Sequence, residues 1–367
     1  MARKALIKLL IMSASLANIV ADAGAPLFEG GVSAKRTCYQ VWSSSIITAL
    51  ANFGVLYNYN SIAGLSSSWL TALYGAPEWA AQLSSNVIFV GTLIGMLGFG
   101  VLGDLIGLDR AMTLTLAVQA VGALLQAVMP WGSPDTAWSL LIVARFIIGV
   151  GCGGVYPLSA GKAAADATHT VDPDEKAKSA AIAFFWRNPA MVWIYLFGYL
   201  LYLGPGAGIP SSVDGQLEPE DDAQRRGWQI AWRVALGFGC IAPALMTVAS
   251  VFEPRASGAL RDVNQPPLLE RVIKARPWRG FIATGGAWFF FDISYYGNSL
   301  LQPKILDTLA PANSTLTVLE TQAENMAVAV VGVLFTLVII LLLPVIGVIR
   351  MQHFGLLLVT IIATILA

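Results

Sequence analysis

An all-α polytopic membrane protein is the fold class this sequence predicts, and three observations carry it. The 367 residues are 56% hydrophobic and 12% charged, where a soluble domain is about 25% charged. The apolar residues gather in runs long enough to cross a hydrocarbon core of about 30 Å as helices. Lys and Arg crowd the connecting segments on one side of those runs, the asymmetry that sets orientation in a bilayer. The same composition excludes other classes. Net charge is zero, so no basic surface points to nucleic acid. Cys38, Cys152 and Cys240 are scattered, and His169 and His353 are far apart. Neither a disulfide framework nor a metal site is expected from them. No nucleophile, nucleotide or cofactor motif supports an enzyme.

Taken in order, residues 1–41 read as an N-terminal cytosolic tail. Arg3, Lys4 and Lys8 precede a short apolar run, Leu9 to Ala21, with small residues near Ala23. Signal peptides share that layout, so a cleaved leader is the alternative. Nine apolar segments follow, near 42–64, 84–103, 112–131, 137–158, 180–203, 229–252, 279–301, 325–345 and 351–367. The longest break, 253–278, is basic and proline-marked and reads as a cytosolic linker. It separates a six-span unit, 42–252, from about three spans in 279–367, the pattern of a six-plus-six carrier with an incomplete second bundle. The last residues, Ile365-Leu366-Ala367, fall inside an apolar run. The expectation is a chain short by about three spans, with a nine-span protein as the alternative.

Loop charge fixes the orientation. With the tail in the cytoplasm, that side holds Arg3, Lys4, Lys8, Lys35, Arg36, Arg110, Lys162, Lys176, Lys178, Arg255, Arg261, Arg271, Lys274, Arg276, Arg279 and Arg350. The other side holds only Arg225, Arg226 and Lys304. The acidic loop with Asp214, Glu218, Glu220, Asp221 and Asp222 then lies outside, as does the sequon Asn313-Ser314-Thr315.

Polar residues within apolar spans are the functional candidates, because lipid penalises them. Trp288 to Asn298 reads WFFFDISYYGN. At helical spacing Trp288, Asp292 and Tyr296 share one face. An indole N–H, a carboxyl and a phenol converging in that way can grip an oxyanion or a sugar. Arg145 to Ala160 reads RFIIGVGCGGVYPLSA. Its glycines, Gly149, Gly151, Gly153 and Gly154, let another helix pack backbone to backbone. Arg145 needs a partner or a wet cavity. Gly103, Asp104, Gly107 and Arg110 close the second span, where glycine permits a tight turn and Asp104 can cap the next helix or latch a gate.

These motifs carry a resemblance. GVLGD with Gly107 and Arg110 resembles the loop signature of the major facilitator superfamily. GVGCGGVYPLSA and WFFFDISYYGN are similar to the span-four and span-seven signatures of its phosphate:proton symporter family, of the forms GIGIGGDYPLSA and WFxxDxxxYG. The likeness runs from about residue 45 to the end of the chain. It implies a major facilitator fold and transport of inorganic phosphate, or a related oxyanion, by alternating access, coupled to protons. It implies substrate contacts from Tyr156, Trp288, Asp292 and Tyr296, with no cofactor. Span five has no Gln in register with the family's, and Asn188 stands nearest. Arg145 and Asn188 are further substrate or coupling candidates.

The chain also departs from that family. Val155 stands where the family has a span-four Asp, and the first span, Asn52 to Tyr59, has no acid. Leu108 and Asp109 replace basic residues of the loop signature, which weakens the expected latch. Arg187 is an intramembrane cation without a family counterpart, expected to pair with an acid in the spans expected beyond residue 367 or to snorkel outward. Two alternatives stay open: a sugar or organic-solute carrier of the same superfamily, and a non-transporting receptor or inactive truncated carrier. In each case the protein is multi-pass, in the plasma membrane or an endomembrane.

Overall fold

The computed structural model describes residues 38–75, 77–166, 173–209, 216–252 and 317–366, and between 281 and 294 only 282, 285, 286 and 288–293. The tail before Cys38, the linker 253–278, Tyr296 and the sequon at Asn313 lie outside the described residues. Those described are helical, with short turns between helices. The elements are α1 (Cys38–Asn60), a π-helical turn (Ile62–Ser66), α2 (Ser67–Tyr74), α3 (Ala80–Ile106), α4 (Leu108–Val128), α5 (Pro134–Asp166), α6 (Pro173–Phe185), α7 (Arg187–Leu203), α8 (Asp222–Phe238), α9 (Ile241–Phe252), α10 (Val318–Ile346) and α11 (Val348–Leu366). A helical piece at 288–293 stands in the seventh apolar segment.

Among the described residues, five stretches are long and apolar enough to cross a bilayer: Gln82–Ile106, Leu108–Val128, Pro134–Lys162, Asp222–Phe252 and Val318–Ile346. Other predicted spans are broken. The first is α1, the π turn and α2, so it extends beyond the expected 42–64. The fifth is α6 and α7, parted at Trp186. Proline explains that break. Pro189 has no N–H to offer the carbonyl four residues back, at Phe185, and its ring crowds that carbonyl. Pro243 acts the same way on Gly239, where α8 gives way to α9.

Freed carbonyls need donors in a membrane. The Gly239 carbonyl accepts from Asn58 Nδ2 at 3.1 Å. Arg233 serves the outer end of α4, donating to the Ala127 and Pro130 carbonyls at 2.5 and 2.6 Å. Its guanidinium lies between the Trp131 and Trp232 rings, 3.8 and 4.1 Å from their centroids. The start of α10 carries a capping box. Thr317 Oγ1 accepts from the Glu320 N–H at 3.2 Å, and Glu320 Oε2 accepts from the Thr317 N–H at 2.8 Å.

The α3–α5 pair is the tightest seam. A Cβ on Gly95 would lie 2.1 Å from the Val150 carbonyl oxygen. On Gly149 it would meet the Ile88 oxygen at 2.2 Å, and on Gly153 the Thr92 oxygen at 2.2 Å. On the far side of α5, a Cβ on Gly151 would come within 2.4 Å of the Gln119 N on α4. The span-four glycines therefore let α5 sit between α3 and α4 at backbone contact. Around this seam the core is aromatic as well as aliphatic, with Tyr57, Trp69, Tyr195, Trp228 and Trp232 fully buried. Leu97, Leu105, Leu124, Phe335 and Val345 face outward, as lipid-facing residues do.

Replacing Gly153 with Val should force α3 and α5 apart. The variant is expected to lose about 2 kcal/mol or more, read as a lowered melting temperature of the purified protein in detergent. Gly98→Ala, where a Cβ meets nothing within 4 Å, should melt with the parent; equal effects would sink the seam account.

Candidate functional site

Tyr156 lies on α5, one residue before Pro157, and is half-buried. Its ring stacks on Tyr59 of α1, with centroids 6.4 Å apart and planes at 26°. Arg187 also meets the ring, with its guanidinium carbon 5.0 Å from the centroid. Arg187 opens α7, at the break that Pro189 imposes. Asp292 lies within direct Coulombic range of Arg187. It is partly buried, whereas its neighbours Trp288 to Phe291 and Ile293 are exposed. Span four and span five thus bring a phenol and a guanidinium together, and the span-seven carboxylate lies within Coulombic range of the guanidinium.

The other expected site residues are placed as follows. Trp288 is 62% exposed, and its indole packs edge-on against Phe291 at 5.7 Å. Tyr296 lies outside the described residues. Asn188 Nδ2 donates to Thr336 Oγ1 of α10 at 2.8 Å. It joins the fifth span to the eighth. Further along the same helices, a Cβ on Gly198 would meet Gln322 Oε1 at 2.9 Å, so α7 and α10 pack closely.

Arg145 is 0% exposed. Its Nε donates to the Ser84 carbonyl at 3.1 Å. Nη1 donates to the Asn58 carbonyl at 2.5 Å and to Ser61 Oγ at 3.3 Å. Nη2 donates to the Tyr59 carbonyl at 3.2 Å. Asn58 and Tyr59 end α1, where the change to π spacing takes carbonyls out of regular pairing. The partner that the sequence demanded for Arg145 is thus backbone rather than carboxylate. Val155, also on α5, is fully buried in the apolar core. In place of acids, the first span buries Asn52 and Asn58, whose amides donate to the Thr48 and Gly54 carbonyls at 2.9 Å.

The loop motif splits into packing and charge. A Cβ on Gly103 would strike Leu158 at 2.7 Å, and Gly107 has φ +92° at the turn, so each site favours glycine for its own reason. Asp104 and Arg110 are exposed, and Gly107, not Asp104, occupies the cap position of α4. The ion pair at this end comes from a departure from the family pattern. Asp109 Oδ1 meets Lys162 Nζ at 3.0 Å, with the lysine side chain 6% exposed. The expected weakness of the latch at Asp109 is therefore offset by a lysine on α5. Sequence reasoning missed this pair and the Tyr156–Arg187 contact. The signal for the second was the proline two residues after Arg187.

Two cavities lie elsewhere. One, of about 390 Å³, is lined by Phe53, Pro189, Val192, Trp193, Leu196, Val330, Val333 and Leu334. That lining suits no polar solute. The other, of about 360 Å³, opens near Tyr74, Trp131, Arg225 and Arg226.

Broken helices, a small-residue seam and polar groups facing one another across spans define a multi-pass helical protein of the major facilitator fold. The chain belongs to the sugar (and other) transporter family, which residues 44–256, more than half its length, match. Inorganic phosphate transporter PT2 of Toxoplasma gondii is 31% identical over 280 residues, covering 75% of this chain and 46% of its own length. Low affinity inorganic phosphate transporter 4 of Petunia hybrida is 28% identical over 283 residues, with 66% and 51% covered. The chain spans about half the length of these curated relatives. Among solved structures, the proton:xylose symporter XylE bound to 6-bromo-6-deoxy-D-glucose superimposes with a TM-score of 0.57 at 16% identity, covering 83% of this chain and 70% of that one. Inward open XylE from E. coli gives 0.51 at 17%, covering 82% and 69%. Those two share the fold.

Arg145→Lys keeps the charge but not the fork that reaches α1 and α3 together. It should lower stability by about 2 kcal/mol, and Arg145→Met by more, in thermal unfolding of the detergent-solubilised protein. A parent-like melting temperature for both variants would show that the carbonyls do not need the guanidinium.

Proposed function

We propose that the protein moves inorganic phosphate, or a closely related oxyanion, across a membrane by alternating access, with Tyr156 and Asp292 in the solute path. The reading rests above all on the likeness to phosphate transporters over about three quarters of the chain. Residues 42–252 serve as the first bundle, 253–278 as its linker and 279–367 as part of the second. Phosphate monoanion carries both donors and acceptors. A phenol at Tyr156 donates to its oxygens, and a carboxylate at Asp292 accepts from its hydroxyl. Trp288 and Tyr296 extend the donor set on the seventh span. Neutral donors bind an anion firmly enough to select it and weakly enough to release it.

Proton coupling falls to Asp292 on this reading. Among the described residues it stands in the middle of an apolar segment, whereas Asp104, Asp109, Glu320 and Glu324 stand in the end turns of their helices. A titratable group that faces each side in turn is what a proton relay requires.

Uptake of labelled phosphate by cells lacking their own phosphate carriers tests the proposal. Asp292→Asn should cut uptake about tenfold or more or abolish its pH dependence, and Tyr156→Phe should raise KM about three- to tenfold. Arsenate should compete, and xylose or glucose should not. Saturable sugar uptake with none of phosphate would favour the sugar-carrier alternative. Silence toward both, with the protein in the membrane, would favour a non-transporting role.

A further inference from the structure

We propose that the cavity at the end of the first bundle opposite the Asp109–Lys162 pair is a second anion site, one that takes a phosphate group, free or on a phospholipid headgroup. It is separate from Tyr156 and Asp292, and it does not depend on which solute crosses the membrane.

The walls of this cavity, of about 360 Å³, come from four places in the chain. Tyr74 ends α2, Trp131 stands in the turn between α4 and α5, Gln216 precedes α8, and Arg225, Arg226 and Gln229 lie on α8. The volume falls in the range of about 300–1,000 Å³ that ligand pockets span. Tyr74 is buried and Gln229 half-buried, whereas Arg225 and Arg226 are exposed. Neutral polar groups therefore form the floor and two guanidinium groups the rim. Among the described residues no Asp or Glu lines the cavity.

The walls are held in place. Gln229 Nε2 donates to the Tyr74 hydroxyl at 3.0 Å, and Trp232 Nε1 donates to Gln229 Oε1 at 3.1 Å. The Leu217 N–H donates to the Ala72 carbonyl at 2.7 Å, which sets Gln216 beside α2. Trp138 of α5 donates to the Gly75 carbonyl at 3.2 Å. Arg233, two turns past Arg226, bonds the Ala127 and Pro130 carbonyls and covers the Trp131 ring.

Arg225 and Arg226 are not tied in that way. Among the described residues the ion pair is Asp109–Lys162, at the other end of the bundle, and no carboxylate pairs with either arginine. The nearby Asp221 caps α8 instead, accepting from the Gln224 N–H at 2.6 Å. Both arginines stand in the opening turns of α8, where the helix dipole is positive and added cations are unfavourable. That same end of a helix favours an anion. A phosphate group offers oxygens enough for two guanidinium forks at once. The cavity lies where α2 and α4 end and α8 begins, at headgroup depth, and α8 carries Ile230 and Val234 exposed as lipid-facing residues are. Headgroups and water both reach it.

The test uses the purified full chain in two arms. One measures binding of labelled inorganic phosphate in phosphatidylcholine nanodiscs, and the other binding of labelled phosphatidylglycerol in neutral detergent. Three proteins are compared: the parent, the pair Arg225→Gln with Arg226→Gln, and Gln216→Trp, which narrows the cavity without a change of charge. All three positions are exposed, so melting temperatures should match the parent. Each variant should bind about tenfold more weakly or worse in at least one arm. Loss in the lipid arm marks a headgroup as the source of the phosphate, and loss in the other arm marks the free ion. Parental binding by the arginine pair in both arms overturns the site. Parental binding by Gln216→Trp also overturns it, because the anion would then sit on open surface. A parent that binds neither probe does so as well, while phosphate uptake is a separate measurement that stands in every case.

Discussion

A buried guanidinium bonded to backbone carbonyls is the interaction on which the first half of this molecule depends. In lipid, every carbonyl that a helix break releases must find a donor within the protein. The π turn after Asn60 interrupts the first span, and Arg145 reaches from α5 to the Asn58, Tyr59 and Ser84 carbonyls. One side chain therefore ties α1, α3 and α5 together. Asn58 in turn supplies the Gly239 carbonyl, which Pro243 leaves without its helical partner. Arg233 does the same for the end of α4. The breaks and their donors form one system, and none is stable without the others.

That system sets the position of the residues of the candidate site. The glycine seam locks α5 against α3 and α4, so Tyr156 cannot shift along the bundle. Tyr59, fixed by the Arg145 clamp, stacks on the Tyr156 ring. The break before Pro189 turns Arg187 toward that same ring, and Asp292 approaches from the seventh span. Asn188 bonds Thr336 and Gly198 admits Gln322, so α7 and α10 pack closely. Packed helices thus carry Tyr156 and Arg187, and a site on packed helices is held more precisely than one on loops.

The membrane class and the places of several spans were legible in the chain because lipid imposes them locally. Length and hydropathy act residue by residue, without knowledge of the fold. The glycines of span four were legible for the same reason, since close helix approach tolerates no side chain there. Tyr156 and Asp292 stood out as polar groups in apolar runs. Less visible were the roles of Arg145 and Arg187, two arginines that look alike in sequence. One ends on backbone carbonyls and the other beside a carboxylate. Asp109 read as a defect in a loop motif, yet it finds Lys162 more than fifty positions away.

By itself, then, the sequence determined that this chain crosses a bilayer several times and which polar residues lipid would not tolerate without a partner. Tertiary structure alone decided which partner each received. Apolar burial is set by a residue's own surface, but a buried charge is settled by whatever donors and acceptors distant helices bring to it. Proline breaks fix where carbonyls fall free, and only the packing of other spans fixes which side chain meets them.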